Sequence, residues 1–472
     1  MCGLNMIPGR GAEHIAYMMN NILSHRGLPS RSHVMSSPSG DFQFGHVRLP
    51  IQGLDEHYDQ PYHWGENIFL FVGEIFNYKE LVPHAQSDIE CLAIMWDKYG
   101  IKCFNYFDGF WSVIVYQSNG NVCHVITDFL AKKPLYLHLP TGAVSSEIKA
   151  FLPLTGNEPS ALDPMYFSAV EKWGYHTGQQ TYLKDVIKLP PGSRYVIDHS
   201  GRVTHYEHWT ALRPRYDVDI RLAIQQAVQR RVVVSDVPVS MLVSGGLDST
   251  IILELTKRYT ADSITLFHFG DEELEYLDKL NIPSGYKVVK LDVNHQDADF
   301  PKYVERVMYY NDGPVDLGSM LPQYDLAQAI NAAGFQVAIS GDGADELFGG
   351  YRRMKDYDSQ YSDIFEELVY YHLPRLDKLM MSHTVELRCP FLSRPVIEGA
   401  MGLAYEQRKN KTYLRYLFED IVPREIVERE KYPLKSKQVK KGGIAWSREL
   451  SKQFKRKFIN WNVTRNAIGE TA

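Results

Sequence analysis

The chain lacks an apolar run long enough to cross a bilayer, so no transmembrane helix is expected. Met1 to Asn5 lacks the basic and then apolar pattern of a secretory signal, so none is expected there either. Cysteine is scarce. The five residues (Cys2, Cys91, Cys103, Cys123, Cys389) are odd in number and scattered, with no CxxC pair. That excludes a disulfide framework and a zinc-finger pattern, and a reducing cytoplasm is expected. Neither sign of charge dominates: 51 Lys and Arg face 57 Asp and Glu, for a net −6. That balance argues against nucleic acid or an anionic membrane as the main partner. Repeats and low-complexity tracts are missing. So is the G-x-x-x-x-G-K-[ST] loop of kinases and GTPases. Seventeen histidines include no HExxH, and the His205–His208 pair is expected near a strand end rather than on a metal.

What remains is a globular composition, 44% hydrophobic and 23% charged, over 472 residues, enough for two domains. The first ~200 residues carry short strand-like runs broken by Gly, Pro and Asn. Phe42 to Leu49, Ile68 to Val72, Trp111 to Tyr116 and Val122 to Thr127 are examples. This texture predicts sheet-rich α+β structure. After Tyr216 it changes. A helical pattern over Asp219 to Val232 leads to a strand over Val237 to Val243, a glycine turn and a helix over Ser249 to Tyr259. Strand patterns at Ile264–Phe269, Val288–Leu291 and Phe335–Ile339 continue the alternation of a parallel α/β sheet. The boundary is expected between residues 207 and 218, and the region beyond residue 350 reads as mainly helical.

Two segments carry phosphate chemistry. Val239 to Ser249 sets a buried strand, a Ser-Gly-Gly turn and a helix start in succession. Backbone N–H groups at such a turn can approach an anion, and the helix dipole favours negative charge. Asp248 would repel a bare phosphate, which points to a bridging Mg²⁺. Gly341 to Tyr351 follows another strand and places Asp342, Asp345 and Glu346 on a glycine-rich turn. Carboxylates so crowded need solvent or a metal. Either segment alone could be a plain turn; the two together argue for a nucleotide.

SGGLDS followed by SGDGADELFGGY resembles the ATP-pyrophosphatase domain of the asparagine synthetase family. Glu386 to Leu392 (E-L-R-C-P-F-L), Lys411, Leu414-Arg415 and Arg429-Glu430-Lys431 extend the likeness. The resemblance implies that a substrate carboxylate attacks the α-phosphorus of ATP, giving an acyl-adenylate and pyrophosphate. It assigns ATP to Ser244, Gly245, Gly246, Leu247, Asp248, Ser249 and Gly341, and Mg²⁺ to Asp248 and Asp345. Asp342 and Lys431 enter as catalytic residues, the lysine as a cation facing developing negative charge.

The first half resembles a class II glutaminase. Gly45 to Ile51, Gly73 to Tyr78, Ser87 to Glu90, Phe107 to Phe110, Ser145 to Ala150 and Leu189 to Gly192 fall in that family's order. The implied fold is an N-terminal nucleophile αββα sandwich (1–207) followed by an α/β parallel-sheet ATP-pyrophosphatase domain of adenine nucleotide alpha hydrolase type (218–472). Cys2, exposed as the first residue once Met1 is removed, becomes the nucleophile, with its own α-amine as base. Arg48 is implied to pair with the glutamine α-carboxylate, and Glu74 and Asp88 with its α-ammonium. Gly73 N–H remains as an oxyanion donor. The family's Asn before Gly-Glu is Val72 here, and valine cannot donate, so a weakened glutaminase that uses ammonia well is expected. Two other family segments are altered, at His25 to Pro29 and Ala131 to Tyr136.

Asn311 to Tyr324 looks like the acceptor segment of bacterial relatives, with aspartate the leading acceptor. Another carboxylate, an amide-forming cyclase, and a silent glutamine- or ATP-binding relative are the alternatives. Retained Cys2 disfavours the cyclase, and the intact nucleotide loops disfavour the silent relative. The expected partners are small molecules, and a homodimer is left open. The basic run from Lys435 to Lys457 reads as a solvated face.

Overall fold

A computed structural model describes residues 2–260, 264–270, 274–291, 300–315, 317–351, 354, 360–429 and 443–458. The first half holds twelve strands. They are β1 (Gly3–Pro8), β2 (Ser32–Ser36), β3 (Phe42–Val47), β4 (Tyr62–Trp64), β5 (Asn67–Ile75) and β6 (Gly109–Gln117). There follow β7 (Val122–Thr127), β8 (Tyr136–His138), β9 (Ala143–Ser145), β10 (Val186–Lys188), β11 (Ser193–Asp198) and β12 (Val203–His208). They form two six-stranded sheets, ordered β10-β8-β9-β1-β3-β2 and β12-β11-β7-β6-β5-β4.

Side chains alternate across a strand, so one strand can serve two layers. In β5, Ile68, Leu70 and Val72 enter the core between the sheets, with Leu4, Met6, Phe44 and Ile114. Phe69, Phe71 and Ile75 point the other way, under Ile89, Leu92 and Trp96 of the helix Asp88–Tyr99. On the outside of the first sheet the helix Glu13–Ile22 contributes Ala16, Met19 and Ile22 to a separate core. Helix, sheet, sheet and helix are therefore stacked as expected for the αββα sandwich. Each fully buried large apolar side chain contributes about 1.5–3 kcal/mol.

The second half is built on β13 (Val239–Leu242), β14 (Thr265–Phe269), β15 (Lys287–Leu291), β16 (Val337–Ile339) and β17 (Glu386–Arg388). All pairs are parallel, in the order β15-β14-β13-β16-β17. The chain winds outward from β13 in one direction and then returns to its other side at β16. Open parallel sheets bind ligands at the C-terminal ends of strands flanking such a switch. Here those ends lead directly into Val243–Gly246 and Ser340–Gly343.

His205 to His208 forms the end of β12, an edge strand. Of the basic run from Lys435 to Lys457, residues 435–442 lie outside the described residues; in the helix Gly443–Phe458, Lys452, Arg456 and Lys457 are exposed while the opposite, apolar face is docked. Leu450, Phe454 and Phe458 are buried beside Phe167 and Tyr182, and Lys455 and Lys457 pair with Glu171 (3.1 Å) and Glu305 (2.9 Å). All five cysteines are free and buried. Among the described residues no helix is long and apolar enough to cross a membrane.

Candidate active sites

Cys2 directly precedes β1 and is buried in the same inter-sheet core as Val72. Burial pushes its thiol pKa up, while the Leu49 backbone and the Arg48 charge pull the other way. The Cys2 carbonyl accepts a hydrogen bond from Arg26 Nε at 3.0 Å. Gly73 has φ +148°, and a Cβ there would lie 2.1 Å from the Phe110 carbonyl oxygen. Only glycine fits that approach.

Glu74, next along β5, accepts a hydrogen bond from Gln52 Nε2 and lies 3.6 Å from Arg388 Nη2. Burial, then the charges of Glu386 and Asp88, hold its carboxyl well above the usual range. Asp88 opens its helix after the N-cap Ser87, whose hydroxyl accepts Glu90 N–H at 3.3 Å. Its carboxylate accepts Ile75 N–H at 3.3 Å, and burial pushes its pKa up to about 7. Two acids that are costly to ionise thus stand together, and the charge of one, Asp88, acts on the buried thiol. A cationic ligand group would relieve both.

Arg48 is 4% exposed and holds the loop from residue 52 to 59. Its Nη1 donates to Asp55 O (2.9 Å) and Asp59 Oδ1 (2.8 Å), and its Nη2 to Gln52 O (3.0 Å) and Gly53 O (2.5 Å). Both terminal nitrogens are spent, so an incoming carboxylate must displace one of these bonds to reach them.

In the second half, the two phosphate-type turns meet. A Cβ on Gly341 would sit 2.9 Å from Asp248 Cβ and 3.0 Å from Ser249 N. Gly245 has φ +71°. Ser249 Oγ lies 3.1 Å from Ser244 Oγ and accepts Ser244 N–H at 3.2 Å, while Gly246 N–H donates to Ser244 Oγ at 3.2 Å. Gly246 is the N-cap of the helix Leu247–Thr256. Asp342 accepts a hydrogen bond from Ser340 Oγ at 2.6 Å.

Lys411 binds these two turns together. Its ammonium lies 2.5 Å from Asp248 Oδ2 and 2.6 Å from Asp345 Oδ1. The two carboxylates raise its pKa against the effect of burial. A Cβ on Gly350 would fall 1.9 Å from Asp345 Oδ1 and 2.4 Å from Lys411 Cε, so the cluster needs glycine there. Two carboxylates converging on one cation also fit a hard dication with oxygen ligands, phosphate oxygens completing the shell. Lys431 and Asp316 lie outside the described residues.

The sequence motifs did not reveal how the halves are joined. Arg388 is fully buried. It pairs with Glu386 (2.7 Å) and donates through Nη1 to Arg231 O and Val234 O, both at 2.8 Å, with Nη2 toward Glu74. Arg26 bridges Glu147 and Asp377, each at 2.7 Å, and Lys133 reaches Asp377 at 2.6 Å. Lys411, Arg388 and Arg26 all stood in recognised segments, yet nothing local identified their partners.

Residues 219–369 and 357–458 match the family described as asparagine synthase, and residues 1–209 match a glutamine amidotransferase domain. The chain is 25% identical over 488 residues to asparagine synthetase [glutamine-hydrolyzing] 1 of Arabidopsis thaliana, covering 91% of this chain and 77% of that one. It is 26% identical over 481 residues to the asparagine synthetase [glutamine-hydrolyzing] of Asparagus officinalis, covering 91% and 76%. To asparagine synthetase B [glutamine-hydrolyzing] of Escherichia coli K12 it is 24% identical over 469 residues, covering 88% and 78%.

Proposed function

Because this chain belongs to the asparagine synthase family and carries a glutamine amidotransferase domain ahead of the synthase region, we propose that it makes asparagine from aspartate, ATP and glutamine. It is a C–N ligase, divided as 1–207 for glutamine hydrolysis and 218–472 for carboxylate activation.

With Met1 removed, the Cys2 thiolate attacks the glutamine amide carbon, its proton passing to the leaving ammonia by way of the α-amine. Water then cleaves the thioester to glutamate. Glu74 and Asp88 hold the glutamine ammonium, Arg48 its carboxylate, and Gly73 N–H the oxyanion. In the second half, an aspartate carboxylate oxygen attacks the ATP α-phosphorus and pyrophosphate leaves. Ammonia then attacks the acyl carbon and AMP leaves. Ser244 to Ser249 and Gly341 cradle the phosphates. Asp248 and Asp345 would hold Mg²⁺, which when bound neutralises charge on the departing pyrophosphate. Asp342 and Lys431 act at the acyl-adenylate. Five free thiols favour a cytoplasmic setting.

The observation that supports this reading most strongly is the convergence of the two acidic glycine turns on Lys411 at the switch point of the parallel sheet. The test is to incubate the protein with ATP, Mg²⁺ and aspartate, with glutamine in one arm and ammonium in another. Asparagine and AMP are expected in both arms. Neither product from protein that binds ATP would refute the assignment of the acceptor.

A further inference from the structure

A cavity of about 60 Å³ opens where the two halves meet, and Asn311, Asp312 and Val315 at the start of the expected acceptor segment are among its walls. Three cationic side chains line it, Lys188, Arg375 and Lys378, against a single acid, Asp312. That acid is already satisfied. It pairs with Lys378 at 3.2 Å and accepts Tyr182 OH at 3.0 Å and the backbone N–H groups of Ile148 and Lys149. Positive charge is therefore in excess.

Arg375 spends Nη1 on Ser319 Oγ (2.6 Å) and Tyr371 OH (3.4 Å), while its buried Nε has no hydrogen-bond partner. His176 Nδ1 and Asn311 Oδ1, on the same cavity wall, have none either. Buried polar atoms are ordinarily satisfied, so three such atoms around one void mark bonds that an occupant supplies. Lys188 donates to Val369 O, and burial and the Lys378 charge push its amine well below the ordinary value. An anion between the two lysines would reverse that.

The walls are flat. Tyr175 stacks on Tyr371 with centroids 4.7 Å apart and planes 11° from parallel, and Tyr166 on His176 at 5.4 Å and 26°. Parallel ring pairs suit a planar unsaturated body, and the Nε edge of a guanidinium suits a carboxylate.

We propose that this cavity is a binding site for a small organic anion, a carboxylate carried on a flat unsaturated ring, held at the junction of the two halves. Isothermal titration of the full chain tests it, with benzoate as the probe and benzamide and cyclohexanecarboxylate as its neutral and saturated counterparts. Benzoate should bind once per chain and at least about tenfold more tightly than either counterpart. Arg375→Gln should weaken benzoate about tenfold or more, and Arg375→Lys should restore part of the loss. Val315→Phe, which fills the cavity from another wall, should abolish binding; circular dichroism confirms that each variant is folded. Three results would overturn the proposal: no benzoate binding up to about 10 mM, equal binding of benzamide, or displacement of benzoate by ATP or glutamine. Binding is read without turnover, so the outcome is independent of the amidation chemistry.

Discussion

Val72→Asn exchanges one side chain on the inner face of β5 beside Gly73, in the core that also contains Cys2. The side chain at this position points between the sheets, toward the thiol, because Ile68 and Leu70 do so at spacings of two. Glutamine attack develops an oxyanion that Gly73 N–H alone would bind; an asparagine amide adds a second donor. One such donor is worth about 2.7–4 kcal/mol, or about 10²–10³ in kcat. The cost falls on the fold. Val72 is 2% exposed, and an amide buried there without glutamine leaves polar groups unsatisfied, destabilising by about 1–3 kcal/mol. The expected variant therefore melts at lower temperature and releases glutamate about 10²-fold faster, with ammonia-dependent asparagine formation unchanged. Glutamate release without ATP isolates the first half, and the ammonium arm reports the second. Unchanged glutamate release with the ammonium rate intact would refute the reasoning, because the missing donor would then already be supplied elsewhere.

Asp88, pushed up to about 7 in the free enzyme, should make glutamine KM fall as pH rises through that value, since only the carboxylate binds an ammonium. Asp88→Asn should raise KM and remove this dependence. For stability the sign is opposite. A carboxyl raised in the folded state favours folding below its unfolded value near 4 and loses that contribution as pH rises to 7, so Asp88→Asn should flatten the decline seen by thermal melts. Lys411→Met leaves Asp248 and Asp345 facing each other without a cation. AMP formation should drop by about 10²-fold or more and stability by about 3–5 kcal/mol, with glutamate release nearly unchanged. Arg388→Met leaves Glu74 and Glu386 buried without their shared cation, so chemical denaturation should show a loss of about 3–5 kcal/mol and kinetics a raised glutamine KM. An intact glutamine KM in a folded Arg388 variant would separate Glu74 from the synthase half.

Sequence alone determined the features that depend on neighbours along the chain. Strand period two, the break between residues 207 and 218 and the change to alternating strands and helices are local patterns. So are the Ser-Gly-Gly and Gly-Asp-Gly turns, because glycine is required where φ is positive or backbones nearly touch, as at Gly73 and Gly245. The order of the sheets followed less directly; the placement of both turns at one switch point needed β16 to pair beside β13. What tertiary structure decided was the partnership of charges. A lysine or arginine carries no mark of which acid it will meet, and Coulomb attraction depends on distance in space, not in sequence. Hence Lys411 with Asp248, 163 positions away, and Arg26 with Asp377, 351 away, emerged only from the fold. The engagement of Arg48 by its own loop and the cationic cavity between the halves have the same origin: each is made by groups that only packing brings together.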